Sequence, residues 1–213
     1  MKRISFLVLI SMIISGCNQG IFPVDESALL NRSTPSGVYN GSEQPSRIPT
    51  SFDGLTSKNL DVYFTDPGIL LPGDYSGGID EQLVQAISAA KSSVDMAIYS
   101  FNLWSIRDAL INAYQRGIQV RIVMESDNLE DDVPRQLRSA GISMIGDRRE
   151  GLMHNKFVII DKEDVWTGSA NMTVGGFYYD NNNLVHLHSA EIAEDYSTEF
   201  EEMYVRDMFG SDI

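Results

Sequence analysis

From Leu60 onward, short apolar runs alternate with segments whose apolar residues recur every three or four positions, and few folds accommodate that alternation. Leu60 to Phe64, Met96 to Tyr99, Ile118 to Met124, Ile142 to Ile145, Phe157 to Ile160, the stretch around Val165-Trp166, and Leu184 to Leu187 predict strands. Between them, Leu83, Val84, Ile87 and Ala90 share one face of a helix over about 80–93, and Ile106, Ala109, Leu110 and Ala113 do so in a second. Ser105 is read as the cap of that second helix and Gly117 as its stop. A third helix follows Asp132-Val133-Pro134, and a last one over about 190–205 turns Ile192, Tyr196, Phe200 and Met203 inward. The expected fold class is α/β, with a central mixed or parallel β-sheet flanked by helices on both faces, because strands this apolar need cover on both sides. No internal repeat is visible.

The first 57 residues do not share this pattern. Met1-Lys2-Arg3 is basic, Ile4 to Ile14 is almost wholly apolar and too short to span a bilayer stably, and Ser15-Gly16 then precede Cys17. This looks like a bacterial lipoprotein signal peptide over 1–16, with Cys17 lipidated as the new N-terminus; Asn18 after it leans toward the outer membrane. Acyl chains on Cys17 would anchor the chain stably, each buried CH₂ contributing about 0.8 kcal/mol. Cys17 is the only cysteine, so no intrachain disulfide forms. Residues 17–57 read as a tether: four of the seven prolines lie there amid Ser, Thr, Gly and Asn, with no sustained hydrophobic period. A flexible coil of that length spans roughly 35 Å.

The 30 Asp and Glu outnumber the 16 Lys and Arg, for a net charge of −14. From Lys58 onward there are 26 acids against 12 bases, so the excess sits in the part expected to fold. Such a surface repels nucleic acid and anionic lipid at long range, which argues against a tight nonspecific DNA binder. An enzyme that needs only transient contact with a polyanion is still allowed, provided local basic groups hold it.

One stretch carries chemistry. His154-Asn155-Lys156 is followed after four residues by Asp161, and after six more by Gly168-Ser169-Ala170-Asn171. Residues two apart on a strand face the same way, so His154 and Lys156 project together and can converge on one phosphate, while Asn155 and Asp161 face away. The turn after the Val165-Trp166 strand offers the Ser169 hydroxyl, the Asn171 amide and backbone N–H groups as donors to phosphate oxygens. A cationic Lys156 and neutral donors lower the barrier to attack on an anionic phosphodiester. An imidazole can serve as the nucleophile and form a phosphohistidine.

These residues match HxKxxxxD…GSxxN at every fixed position, and over roughly residues 60–205 the chain resembles the phospholipase D superfamily. The resemblance implies a phospholipase D-like catalytic domain over 58–213, with His154, Lys156, Asn171, Ser169 and Asp161 as the site residues; Asp161 is read as structural support within that set. It implies phosphodiester cleavage through a covalent phosphohistidine without metal or cofactor. The family protonates the leaving group with a second histidine from a second copy of the motif. Only His154 lies in a motif here, so the resemblance is to single-motif members typified by small bacterial nucleases, and a homodimer with two His154 side chains facing one phosphate is expected. Nucleic acid is the expected substrate, with membrane phospholipid as the alternative and a non-catalytic phosphate-binding module as a third reading.

Family members often carry a Glu supporting the histidine where this chain has Asn182; Asp180 is the other candidate for that support. His186 and His188 share a strand face and so suit a metal, but no third ligand is evident in the sequence, and ordinary polar residues on a half-exposed strand are the expectation. Arg148-Arg149 either steer a phosphate backbone or sit in a solvated loop.

Overall fold

The computed structural model describes residues 58–67 and 75–210. The expected signal peptide, Cys17 and the tether lie outside the described residues. Among the described residues, seven strands form one mixed sheet: β1 (Leu60–Phe64), β2 (Ser93–Ile98), β3 (Gln119–Met124), β4 (Ser143–Gly146), β5 (Lys156–Ile160), β6 (Asp164–Gly168) and β7 (Asn183–His188), in the order β1-β7-β6-β5-β2-β3-β4. Strands β2, β3 and β4 run parallel, and β5, β6, β7 and β1 are successively antiparallel. Helices α1 (Asp80–Ala89), α2 (Trp104–Gln115), α3 (Asp132–Ser139) and α4 (Ala190–Tyr204) complete the domain. This is the mixed sheet with helices on both faces that the alternation predicts.

The two faces hold separate cores. Leu83, Ile87, Ile106, Leu110 and Leu137 of α1, α2 and α3 pack against Met96, Ile122, Val158 and Trp166. On the other face, Ala193, Phe200 and Met203 of α4 pack against Ala97, Val123, Phe157, Ile159 and Val165. Strand β2 is buried at every position because both layers cover it. Gly117 ends α2 at φ +90°, where a side chain would strain the backbone. Ser189 caps α4, accepting from the Ile192 N–H at 3.3 Å.

Ser105 does not cap α2. The N-cap position is Leu103, and Ser105 lies inside the helix, donating from Oγ to Asp80 Oδ2 at 2.6 Å. Asp80 is buried and also accepts from the Tyr178 hydroxyl at 2.7 Å. A hydroxyl near a helix start has two competing uses, and here a buried carboxylate on α1 claims it.

Asp161 closes the β5–β6 hairpin with Lys162, both at positive φ (56° and 57°). Its carboxylate accepts from the backbone N–H groups of Lys91, Ser92 and Ser93 and from the Ser92 hydroxyl, at 2.7–3.1 Å. Burial pushes its pKa up, but these donors outweigh that and hold the carboxyl below the usual range. A carboxyl lowered by folding stabilises the fold above its unfolded pKa, and the contribution is lost as the pH falls through the folded value. Asp161→Ala is expected to cost about 2 kcal/mol, lowering Tm by about 4–8 °C at pH 7. The difference from the parent chain should shrink toward pH 3, and calorimetry at both pH values checks this.

Candidate functional site

The carboxyl ends of β2, β3 and β6 and the amino ends of β5 and β7 meet at one end of the sheet, since Ile98 pairs with Met124 and with Lys156, and Gly168 with Leu184. A shallow pocket of about 410 Å³ opens there, lined by His154, Lys156, Thr167, Gly168, Ser169 and Tyr196, among others. His154 lies just before β5 and is exposed; Lys156 begins the strand and is half-buried. The Lys156 ammonium donates to the His154 carbonyl at 3.0 Å, and burial lowers its pKa from the ordinary lysine value. Both side chains share the ring of Tyr99: the imidazole meets it edge-on at 4.9 Å, and the ammonium stands 5.6 Å from its centroid. Strand alternation thus brings the nucleophile candidate and its cation to one surface, with Tyr99 as the platform between them. Asn155, expected to face away, also lines the pocket, with its amide 3.6 Å from Met203 Sδ on α4.

Ser169 is also exposed at the pocket, held from two sides. Its hydroxyl donates to Asn182 Oδ1 at 2.7 Å and accepts from the Asn183 N–H at 3.1 Å. Asn182 in turn donates to the Gly176 carbonyl at 2.9 Å. Asn182 therefore orients the serine rather than the histidine, and Asp180 is exposed on the same loop. Gly168 precedes this turn at φ +152°, and a Cβ there would collide with the Asn183 carbonyl. The glycine of the motif thus lets β6 and β7 approach closely enough to fix Ser169.

Asn171 is half-buried beside this turn, and its side-chain oxygen makes no hydrogen bond. Asp161 stands at the opposite end of β5, spent on backbone amides. The structure therefore brings His154, Lys156 and Ser169 to one pocket, leaves Asn171 outside its lining, and sets Asp161 apart.

Two further residues shape the site that the sequence reading did not single out as functional. Tyr99 follows the carboxyl end of β2, a strand buried at every position, where open α/β sheets place their ligands, and its place after the apolar Met96-Ala97-Ile98 run is visible in the sequence. Glu125 is buried at the end of β3, where its carboxylate accepts from the Met153 N–H at 2.8 Å and so pins the segment entering His154. Arg148 and Arg149 both bind Asp207, at 2.6 and 3.0 Å, tying the segment after α4 to the loop before β5. His186 and His188 lie at the far end of β7, away from the pocket.

Residues 83–204 match the family model described as cardiolipin synthase, PLD-like domain. The chain is 34% identical over 148 residues to a phospholipase D of Rickettsia prowazekii, covering 68% of each. It is 32% identical over 124 residues to the mitochondrial cardiolipin hydrolase of Xenopus laevis, covering 57% of this chain and 59% of that one. Its fold superposes on the phospholipase D family member Nuc of Salmonella typhimurium with a TM-score of 0.58 at 25% identity, over 68% of this chain and 92% of Nuc.

Proposed function

Starting from a chain that belongs to the phospholipase D superfamily and is a phosphodiester-cleaving enzyme, we propose that it hydrolyses nucleic-acid phosphodiesters through a covalent phosphohistidine on His154, as a homodimer. The observation that carries the reading is the convergence of an exposed imidazole, a half-buried ammonium and an oriented hydroxyl on one shallow pocket. A ring nitrogen of His154 attacks phosphorus, the N–P bond forms, and the bond to the leaving oxygen breaks. Lys156 stabilises the charge on the other phosphate oxygens, and the Ser169 hydroxyl joins it by turning its one proton from Asn182 Oδ1 to the phosphate. The leaving oxygen takes a proton from a protonated imidazole on the opposite side. Water then attacks phosphorus, gives its proton to that second imidazole, and the N–P bond breaks to restore His154.

The second imidazole is what calls for a dimer. The chain's other two histidines lie at the opposite end of the sheet, so a second chain supplies its own His154 across a two-fold axis. No step in this scheme uses a metal. The shallowness of the pocket favours a strand laid across it, because a linear polymer brings its phosphates to the surface. The names of the phospholipase D and cardiolipin hydrolase relatives favour a second reading, in which a membrane phospholipid is the substrate. A lipidated Cys17, also part of our proposal, would keep the domain beside a membrane under either reading.

The two are separated by offering end-labelled single-stranded DNA and RNA, and in parallel vesicles containing cardiolipin or phosphatidylcholine, to the full chain in excess EDTA. Strand cleavage is expected. Intact strands together with headgroup release would replace nucleic acid by lipid. Failure to trap a ³²P-labelled histidine with either substrate would remove the covalent mechanism.

A further inference from the structure

At the opposite end of the sheet from His154, strands β1, β6 and β7 bring together four residues far apart in sequence: Asp61, Asp164, His186 and His188. The register does this directly, since Asp61 pairs with His186 and Asp164 with His188, all on the face shared with Trp166 and Tyr63. His186 is nine-tenths buried, stacked on the Trp166 indole at 3.9 Å and packed against the His188 ring at 3.7 Å. Despite that burial, its Nε2 makes no hydrogen bond. The carboxylates stand on opposite sides of the two imidazoles. Asp61 Oδ2 is 2.9 Å from His188 Nε2 and 3.7 Å from His186 Nδ1. Asp164 Oδ1 is 3.0 Å from His188 Nδ1 and 3.2 Å from His186 Nε2.

We propose that Asp61, His186 and His188 bind one divalent transition ion of the zinc class, with Asp164 as the carboxylate that orients both ligating imidazoles. Tetrahedral zinc with bonds of about 2.0–2.1 Å sets its ligand atoms about 3.4 Å apart. The 2.9 and 3.7 Å separations from Asp61 Oδ2 bracket that spacing, and one donor atom from each of the three residues lies within 4.8 Å of the others. Ligation through His186 Nδ1 and His188 Nε2 puts the proton of each ring on the nitrogen that faces Asp164. This is the carboxylate–histidine–metal arrangement of built sites, and it fixes on His186 Nε2 a proton for the Asp164 carboxylate that already stands 3.2 Å away. Two imidazoles and a carboxylate suit zinc better than magnesium or calcium, which prefer oxygen ligands. Asp61 and His188 reach solvent, at 19% and 41% side-chain exposure, leaving an entry path and a position for water.

The ion would be a staple rather than part of the chemistry. Among the described residues, strand β1 is an edge strand that joins the sheet only through β7, and a metal holding Asp61 to β7 would fasten that edge. The proposal is independent of which phosphodiester the pocket takes.

The test is to strip the full chain with EDTA and titrate zinc by calorimetry. One ion per chain is expected, with Tm rising by about 5–10 °C at a hundredfold excess over Kd. Asp61→Asn and His188→Gln should each lose both effects, and His154→Ala should keep both. Absence of stoichiometric zinc, or zinc lost in His154→Ala but kept in Asp61→Asn, overturns the site. Should the strand variants fail to fold, the unmutated chain loaded with cobalt(II) decides: intense tetrahedral d–d bands support the site, and the weak spectrum of an octahedral ion overturns it.

Discussion

His154→Ala is expected to lower turnover by at least about 10⁴-fold, about 5.4 kcal/mol of transition-state stabilisation, while leaving the fold intact. The loss is large because one substitution removes two functions from a symmetric dimer: the nucleophile of one chain and the proton donor of the other. The fold should survive because the imidazole is exposed and its described side-chain contact is the edge of Tyr99. A melting curve matching the parent, alongside absent turnover, is the expected pair of measurements. Mixing adds a sharper check. When parent chains exchange with a threefold excess of His154→Ala chains, only about a quarter of parent chains keep a parent partner. Activity per parent chain should therefore fall to about a quarter. Activity unchanged by the mixing would mean that one chain carries the whole reaction, and the two-chain site would be abandoned.

How much of this site could be read from the sequence depends on how local each feature is. The strand and helix periods are local, and so is the HxK spacing, so the sheet, its cover on both faces and the pairing of His154 with Lys156 follow from neighbouring residues alone. The role of Asn182 is less local. The sequence sets it where relatives carry a supporting Glu, but the β6–β7 register and the short turn after Gly168 deliver it to Ser169 instead. The Asp61–His186–His188 cluster is the extreme case. Two imidazoles on one strand are visible in the sequence, but the carboxylate that completes them arrives from β1, 125 residues earlier than His186, through an antiparallel pairing that no local pattern announces. Ser105 fails for the opposite reason. Its local surroundings suggest a helix cap, and a non-local partner, Asp80, outcompetes that use. Glu125 reads as an ordinary charged residue ending a strand, and only the path of the chain ahead of His154 shows that its carboxylate is buried to hold that path.

Arg121→Met is expected to destabilise the domain by about 3–5 kcal/mol, a fall in Tm of about 10 °C. Arg121 and Asp95 are register partners on β3 and β2, and their side chains meet beneath α4. The guanidinium grips Asp95 with two bonds of 2.7 Å, reaches Glu201 on α4 at 2.7 Å, and lies over the rings of Phe200 and Tyr204 at 4.9 and 5.0 Å. The Asp95 bond, ahead of the opposing effect of burial and the further bond to Glu201, raises the guanidinium's pKa, so it stays charged at any working pH. Methionine fills similar space but leaves the fully buried Asp95 carboxylate without its counter-ion, and that orphaned charge dominates the cost. The accounting has a direct check. Replacing both partners, as in Asp95→Leu with Arg121→Met, removes the charge along with its partner and should recover most of the loss, because a buried pair exchanged for apolar residues of similar volume is often close to neutral. Glu201 is partly exposed and can return to water. If the double variant is no more stable than Arg121→Met alone, the stabilisation lies in the stacking of the guanidinium on Phe200 and Tyr204 rather than in the ion pair. The consequence for the site runs through α4, whose Tyr196 lines the pocket and packs edge-on against Phe157 at 5.0 Å. Loss of Arg121 should therefore leave turnover at 25 °C near the parent value and lower the temperature at which turnover collapses, the reverse of the pattern expected for His154→Ala.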